Sequence, residues 1–424
     1  RENKMKILLL STFELQGGAA IACKRLQQAL EKQGISAKML VRDKQTDDEQ
    51  VCSIYEKQPK WFGRFRFLWE RLVIWLNNGF SRHNLFAVSI ANTGYRIDRH
   101  PLVKWADVIH LHWVNQGFLS LKSIAKLSSL GKPVVWTMHD QWAYTGICHY
   151  TGGCLKYYTQ CQACAKLKYA CKKNLSRRIF KKKAEIYRSG KITFLGCSQW
   201  IADEARKSAL CHESRICSIP NAINCTVYGK KNKAEVRQSL HLPTDKKLLL
   251  FGACKVTDDR KGFNYLKEAC EYLSRREKIS KDELLIVVFG GNSEEIAALL
   301  PYPVYHVGYI RDAEKMIDLY NAVDLFVIPS MEDNLPNTIM EAMACGTPCV
   351  GFDVGGIPEM IDHRQNGYVA EYKNADDLAN GIRWILEEAD PEILSTNARK
   401  KVEQSYSEEI VAKQHIALYH SLLS

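Results

Sequence analysis

The sequence predicts an α/β protein of two doubly wound domains, each a parallel sheet covered on both faces by helices, facing one another across a cleft. Three observations carry this expectation. Short apolar runs alternate with amphipathic stretches along the whole chain, the rhythm of strands and crossover helices. The runs are continuously apolar, as strands buried on both faces are. The 424 residues also exceed what one hydrophobic core usually organises.

The elements follow in order. "KILLLSTF" opens the first domain and leads through "ELQGG" into a stretch whose Ile21, Leu26 and Leu30 recur at helical spacing: strand, glycine loop, helix. "AKMLVR", "ADVIHLHW", "PVVWTMH" and "ITFLGCS" continue the first sheet. Apolar periodicity lapses in "RICSIPNAINCTVYGKKNKAEVRQ", where Pro and Asn punctuate the chain. The second sheet is read in "KLLLFGAC", "LLIVVFGG", "PVYHVGYI", "DLFVIPS" and "PCVGFD", and "SEEIVAKQHIALYHSLL" reads as an amphipathic helix. We therefore expect domains at 1–220 and 221–405, with a final helix at 406–424 returning towards the first domain. A ligand is expected between the carboxyl ends of the two sheets.

The formal net charge of +12 suits nucleic acid, an anionic membrane or a phosphorylated substrate alike, so its distribution has to decide. Basic residues concentrate at 57–82 and 172–188, both in the first half. No apolar run approaches the ~20 residues of a membrane span, and no signal-peptide pattern precedes the first strand. Residues 1–4 precede a start at Met5 and are set aside. Most of the fifteen cysteines, such as Cys23, Cys270, Cys345 and Cys349, stand singly in apolar contexts, as reduced thiols do. A cytoplasmic location is expected.

The stretch "PSMEDNLPNTIMEAMACGTPCVGFDVGGIPEMI" places Asp333 and Glu341 eight residues apart around a predicted helix start, with Asn334 as cap, Pro336 in the first turn and Gly346 as stop. At a helical rise of ~1.5 Å per residue the carboxylates would lie roughly 12 Å apart. That is too far for two groups sharing one bond, even in the wide ~6.5–9.5 Å arrangement of inverting glycosidases. The amides of the first turn, Asn334 to Asn337 with Leu335 and Pro336 between, make an anion site between them. Carboxylate, anion hole and carboxylate match a sugar, a diphosphate and a ribose. The competing reading is a capped helix with solvated acids.

On these residues the chain resembles the retaining GT-B glycosyltransferases of family GT4, over essentially its whole length and most specifically in the second half. The resemblance implies two Rossmann-like domains and a nucleotide-sugar donor, a UDP- or GDP-sugar, used without a catalytic metal. It implies that Asp333 lies near the sugar hydroxyls and Glu341 binds the ribose. The family usually has glutamate at the first position, and Glu332 stands beside Asp333, so either acid faces the sugar. In "FGACKVTDDRKGFNYL" the family's diphosphate-neutralising cations match Lys255, where arginine is usual, and Lys261, with Arg260 as a further candidate. In "QGGAA", Gly17 and Gly18 allow close backbone approach to a phosphate. In "WTMHDQWAYTG", His139 resembles the family histidine contacting the transferred sugar, and Asp140 is read as holding it or the acceptor; a strand-end histidine is otherwise simply hydrogen bonded. His110 and His112 are read as structural, and Glu359 in "DVGGIPEMI" as a weaker candidate for a base or ribose contact. The resemblance also implies retention by front-side attack and a role in cell-surface polysaccharide synthesis.

Two further segments stand out. "GICHYTGGCLKYYTQCQACAKLKYAC" brings Cys148, Cys154, Cys161, Cys164 and Cys171 into one loop. Its first four thiolates, or three with His149, would close a structural zinc site; plain reduced thiols are the alternative. "KWFGRFRFLWERLVIWLNNGFSRH" interleaves Trp61, Phe62, Phe65, Phe67, Trp69 and Trp75 with Arg64, Arg66 and Arg71. It suits either an anionic membrane surface, with a lipid-linked saccharide acceptor, or a core-facing helix. The inner face of the membrane would then be the place of action. The competing function is a nucleic-acid or anion-binding module, disfavoured because the aromatics fall in a helix rather than on a basic sheet face. A phosphorylase or epimerase on the same fold lacks its expected motifs.

Overall fold

The computed structural model describes residues 4–56, 59–169, 171, 174–275 and 279–424, with residues 254 and 255 described by backbone alone. The chain divides into two units, Arg1–Ala222 with Val411–Ser424, and Ile223–Ile410.

The first unit is built on strands β1 (Lys6–Phe13), β2 (Ser36–Asp43), β3 (Val51–Ser53), β4 (Val108–Leu111), β5 (Val134–Met138), β6 (Ile192–Gly196) and β7 (Ile216–Ser218). Among the described residues they form one sheet in the order β3-β2-β1-β4-β5-β6-β7, every pair parallel. Period-2 alternation divides each strand between two cores. Leu8, Leu10, Leu40 and Ile109 face one core; Ile7, Leu9, Met39 and Val108 face the other. Helix α1 (Gly18–Lys32) covers the second face with Cys23, Leu26 and Leu30, as do Val411, Leu418 and Tyr419 of the helix Glu408–Leu423. Tyr419 Oη is 2.7 Å from His110 Nδ1.

The second unit carries β8 (Lys247–Lys255), β9 (Leu284–Gly291), β10 (Val304–Gly308), β11 (Leu325–Ile328), β12 (Cys349–Phe352) and β13 (Gly367–Ala370), in the order β10-β9-β8-β11-β12-β13 and again wholly parallel. The strands β3, β7 and β13 were not anticipated from sequence, being only three, three and four residues long. In both sheets the chain reverses its direction of winding beside the first strand, between β1 and β4 and between β8 and β11. Such switch points leave a crevice at the carboxyl ends of the strands. Among the described residues no helix is long and apolar enough to cross a membrane.

Among the described residues of the basic run at 172–188, one lysine lies inside the first unit. Lys183, on the helix Leu175–Ser189, is fully buried. It donates to the carbonyls of Trp142 and Thr145 and stands 3.5 Å from the centroid of the Trp142 ring. Burial pulls its pKa down to about 7 from the ordinary 10.5. The unfolded chain therefore binds a proton that the folded chain releases between these values, and stability should rise with pH across that window. Denaturation midpoints from pH 6.5 to 9 should climb in the natural protein and flatten in Lys183→Met. Equal slopes in the two proteins would contradict this account.

Candidate functional site

The switch point of the first unit gathers the loops after β1, β4 and β5. Glu14, just past β1, is fully buried, and its carboxylate accepts the amides of Gln45 at 2.6 Å and Thr46 at 2.9 Å, tying the glycine loop to the end of β2. Gly17 then caps α1 at φ 89, a left-handed conformation that suits glycine, and Gly18 opens the helix; both are exposed. His112 and His139 each stand one residue beyond their strands, and His112 Nδ1 and His139 Nε2 share a hydrogen bond of 2.8 Å. Burial lowers both imidazoles, His139 to about 4.

Asp140 is held on every side. Its Oδ2 accepts from the Trp113 indole at 2.8 Å and meets His149 Nδ1 at 2.7 Å, while Oδ1 accepts from the Trp142 amide at 2.9 Å. Burial alone would raise this carboxyl, but His149 and these donors outweigh it and hold it below the ordinary value. His149 Nε2 in turn lies 2.8 Å from Ser89 Oγ. Ser89, His149 and Asp140 thus resemble a nucleophile relay, yet Ser89 is only 2% exposed, so the chain orients Asp140 rather than attacking a substrate.

The second unit gathers a charged cluster at its own switch point. Lys261 Nζ donates to Asp333 Oδ2 at 2.7 Å, and Ser330 Oγ donates to the same oxygen at 3.2 Å. Arg260 approaches that carboxylate at 3.9 Å and donates to the Glu332 carbonyl at 2.9 Å. Burial opposes ionisation of Asp333, but Lys261 and then Arg260 hold its pKa below the ordinary 3.8. Two glycines permit the close packing. A Cβ on Gly262, at φ 71, would lie 1.8 Å from the Pro329 carbonyl oxygen, and one on Gly355, at φ 62, 1.7 Å from that of Asp333. No side chain fits either place.

The helix Asn337–Ala344 begins later than expected. Pro336, with φ −66 and ψ 117, is its cap and offers no side-chain acceptor; Asn334 does not fill that position. The backbone from Asp333 to Pro336 is non-helical, bending at Asn334 and Leu335, and only the step from Asn337 to Glu341 is helical, so the helical-rise spacing does not apply to the whole interval. Leu335 is buried beside this turn. Glu341 is 9% exposed and accepts from Tyr320 Oη at 3.1 Å, a partner with no signature in the sequence. Glu359 lies in the short helix Ile357–Met360. Lys255 ends β8 opposite Gly291, and its side chain lies outside the described residues.

Among the described residues no group of three or more His, Cys, Asp or Glu is placed to hold a metal ion, so nothing here supports the zinc site expected at Cys148, Cys154, Cys161 and Cys164. Burial pushes the Cys148 thiol up to about 12 and Cys161 to about 11, Cys161 Sγ accepts from the Gly146 amide at 3.2 Å, and His149 is engaged with Asp140. The loop does not lack a core: Tyr157 is buried within it and packs against Tyr144. His112, read from sequence as structural, sits against His139.

Residues 16–227, half of the chain, match the family described as Glycosyltransferase Family 4, and residues 232–401 match Glycosyl transferases group 1. An uncharacterised glycosyltransferase of Methanocaldococcus jannaschii is 28% identical over 54% of this chain and 60% of its own length. A putative colanic acid biosynthesis glycosyl transferase of Escherichia coli, WcaC, is 24% identical over 74% of this chain and 76% of its own. The chain thus spans less than two thirds of the first of these relatives. A solved structure of Anabaena HepE in complex with UDP and glucose aligns with a TM-score of 0.63 at 17% identity, covering 98% of this chain and all of that one, a likeness of fold.

The Lys261–Asp333 pair should be stabilising only as a pair. Lys261→Met leaves a buried carboxylate without its nearest cation and should cost ~3 kcal/mol. Asp333→Asn together with Lys261→Met should cost less than Lys261→Met alone. Denaturant unfolding of the two single variants and the double variant checks this, and simple additivity would refute the coupling.

Proposed function

The chain belongs to Glycosyltransferase Family 4, and on that footing we propose that it transfers a sugar from a nucleoside diphosphate sugar to a saccharide acceptor in the synthesis of a cell-surface polysaccharide. The observation that carries this reading is the cation pair Arg260 and Lys261, packed on Asp333 at the exit of β11 just ahead of the helix Asn337–Ala344. As the bond from sugar to diphosphate breaks, negative charge grows on the departing phosphate. Fixed cations and helix amides stabilise that charge. Asp333 keeps Lys261 in place, and Glu341, one helical turn further on, takes the ribose hydroxyls. His139, at the end of β5, is read as a sugar contact of the first unit. The acceptor oxygen attacks the anomeric carbon on the face from which the diphosphate leaves, and its proton passes to the departing phosphate oxygen, which gives retention.

HepE, named in complex with UDP and glucose, supports a uridine diphosphate sugar as donor. Thermal shift against a panel of nucleoside diphosphates tests this without knowledge of the acceptor. At 100 times its dissociation constant a ligand adds about 2.7 kcal/mol to folding. One diphosphate should raise Tm selectively, and Glu341→Ala should abolish most of that shift. No shift with any diphosphate would sink the donor-site reading.

Helix α2 (Lys60–Asn77) supports an acceptor held at an anionic lipid surface. Its polarity is inverted for a core helix. Glu70, its one acid, faces inward at 0% exposure, pairs with Arg71 at 2.9 Å and accepts the amides of Ile90 and Ala91, both at 2.7 Å. Arg66 likewise turns inward, donating to the Gly94 carbonyl at 2.7 Å. The exposed face is left to Lys60, Trp61, Arg64, Phe65, Leu68, Trp69, Leu72 and Leu76, with Trp61 62% and Phe65 56% exposed. Cations and aromatics without a carboxylate suit anionic headgroups over an acyl layer. The protein should co-sediment with vesicles containing anionic lipid, weakly with neutral ones, and Trp61→Ser with Phe65→Ser should release it. Equal sedimentation with and without anionic vesicles would rule this out.

A further inference from the structure

Beside His139 lies a pocket of about 10 Å³, lined in part by His112, Asn115, Trp136 and Asp140. That is close to the smallest space that holds one water molecule. Two of its lining residues bring buried polar atoms that have no partner among the described residues: His112 Nε2, on a residue 3% exposed, and Asn115 Nδ2, on a residue 2% exposed. Other side chains around it already have partners. The Trp113 indole donates to Asp140, the Trp136 indole to the His112 carbonyl at 3.2 Å, and Thr137 Oγ1 pairs with His110 at 2.7 Å.

We propose that an ordered water bridges Asn115 Nδ2 to His112 Nε2, and that His112 thereby fixes His139 in the tautomer protonated on Nδ1. Both imidazoles are neutral near pH 7, so only one proton lies between His112 Nδ1 and His139 Nε2. If His139 supplied it, His112 would carry its own proton on Nε2. A water in the pocket would then accept from both His112 and Asn115 and could donate to neither, and without the water that N–H would be orphaned. If His112 supplies it, the water accepts from Asn115 and donates to Nε2, and both otherwise orphaned atoms are satisfied. His139 Nε2 is then occupied as an acceptor, and the ring meets a substrate as a hydrogen-bond donor through Nδ1, not as a base. His112 is a positioning residue. The consequence for the reaction rests on the reading of His139 as a sugar contact, whereas the tautomer does not.

Nitrogen-15 NMR of histidine-labelled full-length protein at pH 7, with the His139 signals identified by their loss in His139→Gln, tests it directly. His139 should show a protonated Nδ1 and a bare Nε2. His112→Leu should populate the other tautomer. His112→Asn, whose amide donates from the place of Nδ1, should restore the first, which separates positioning from mere folding. With the nucleotide sugar selected by thermal shift, kcat should fall roughly 5- to 10-fold in His112→Leu, about one hydrogen bond, with KM little changed. A protonated Nε2 on His139 in the natural protein, or one tautomer in all three proteins, overturns the proposal. A tautomer that moves while kcat stays constant upholds the positioning and overturns the sugar-contact role of His139. A crystal structure near 1.2 Å resolution should show a water between the two nitrogen atoms, and its absence there overturns the bridge.

Discussion

A parallel sheet buried on both faces spends its strand backbone on ladder hydrogen bonds and its strand side chains on packing, so chemistry is left to the loops at the strand ends. Both sheets obey this constraint. His112 follows β4, His139 and Asp140 follow β5, and Arg260 and Lys261 follow β8 while Asp333 follows β11. In each unit the strands concerned flank the place where the winding reverses or stand next to it. The loops are not loose. Gly262 and Gly355 bring backbones within a distance that no side chain tolerates, and Glu14 and Asp140 are saturated with donors. Rigid supports of this kind let charged side chains stay partly buried without collapsing onto one another.

What was legible in the sequence follows the same division. Long apolar runs such as "KILLLSTF" and "LLIVVFGG" announce strands because burial on both faces leaves no alternation to misread. The three-residue β3 and β7 carry too little pattern to register. Lys261 and Asp333 were each singled out by a resemblance in motif, in separate roles, and their contact emerges only in the fold. The partners that orient them could not be read in this way. Ser330 and Tyr320 are ordinary residues whose relevance depends on where the fold delivers them, and His112 and His149 come from strand-end and loop positions whose meeting is tertiary. The cysteine loop is the opposite case: spacing suggested ligands, while burial favours the protonated thiol and Tyr157 packs inside the loop that a metal was expected to brace.

Helix α2 shows why composition alone misleads. Its aromatics and arginines would serve equally well facing in or out. The decision lies with Glu70, whose carboxylate is used to cap the amides of Ile90 and Ala91 and needs Arg71 beside it. Once that polar cluster occupies the inner face, the tryptophan and leucine stripe has nowhere to go but outward.

The chain leaves the first unit at Ala222 and re-enters it at Val411, and the bond between His110 and Tyr419 closes a separation of 309 residues. During synthesis the first sheet therefore emerges with one face covered by α1 alone and waits for the whole of the second unit before Leu418 and Tyr419 arrive to complete the cover. At 5–20 residues per second, that interval is roughly 10–40 s. The second unit is made without such a delay, since its residues are contiguous, and it is the natural candidate to fold first. Aggregation during expression would accordingly be expected to begin from the exposed face around Ile7, Leu9 and Met39, and shortening the chain before residue 411 would make that exposure permanent.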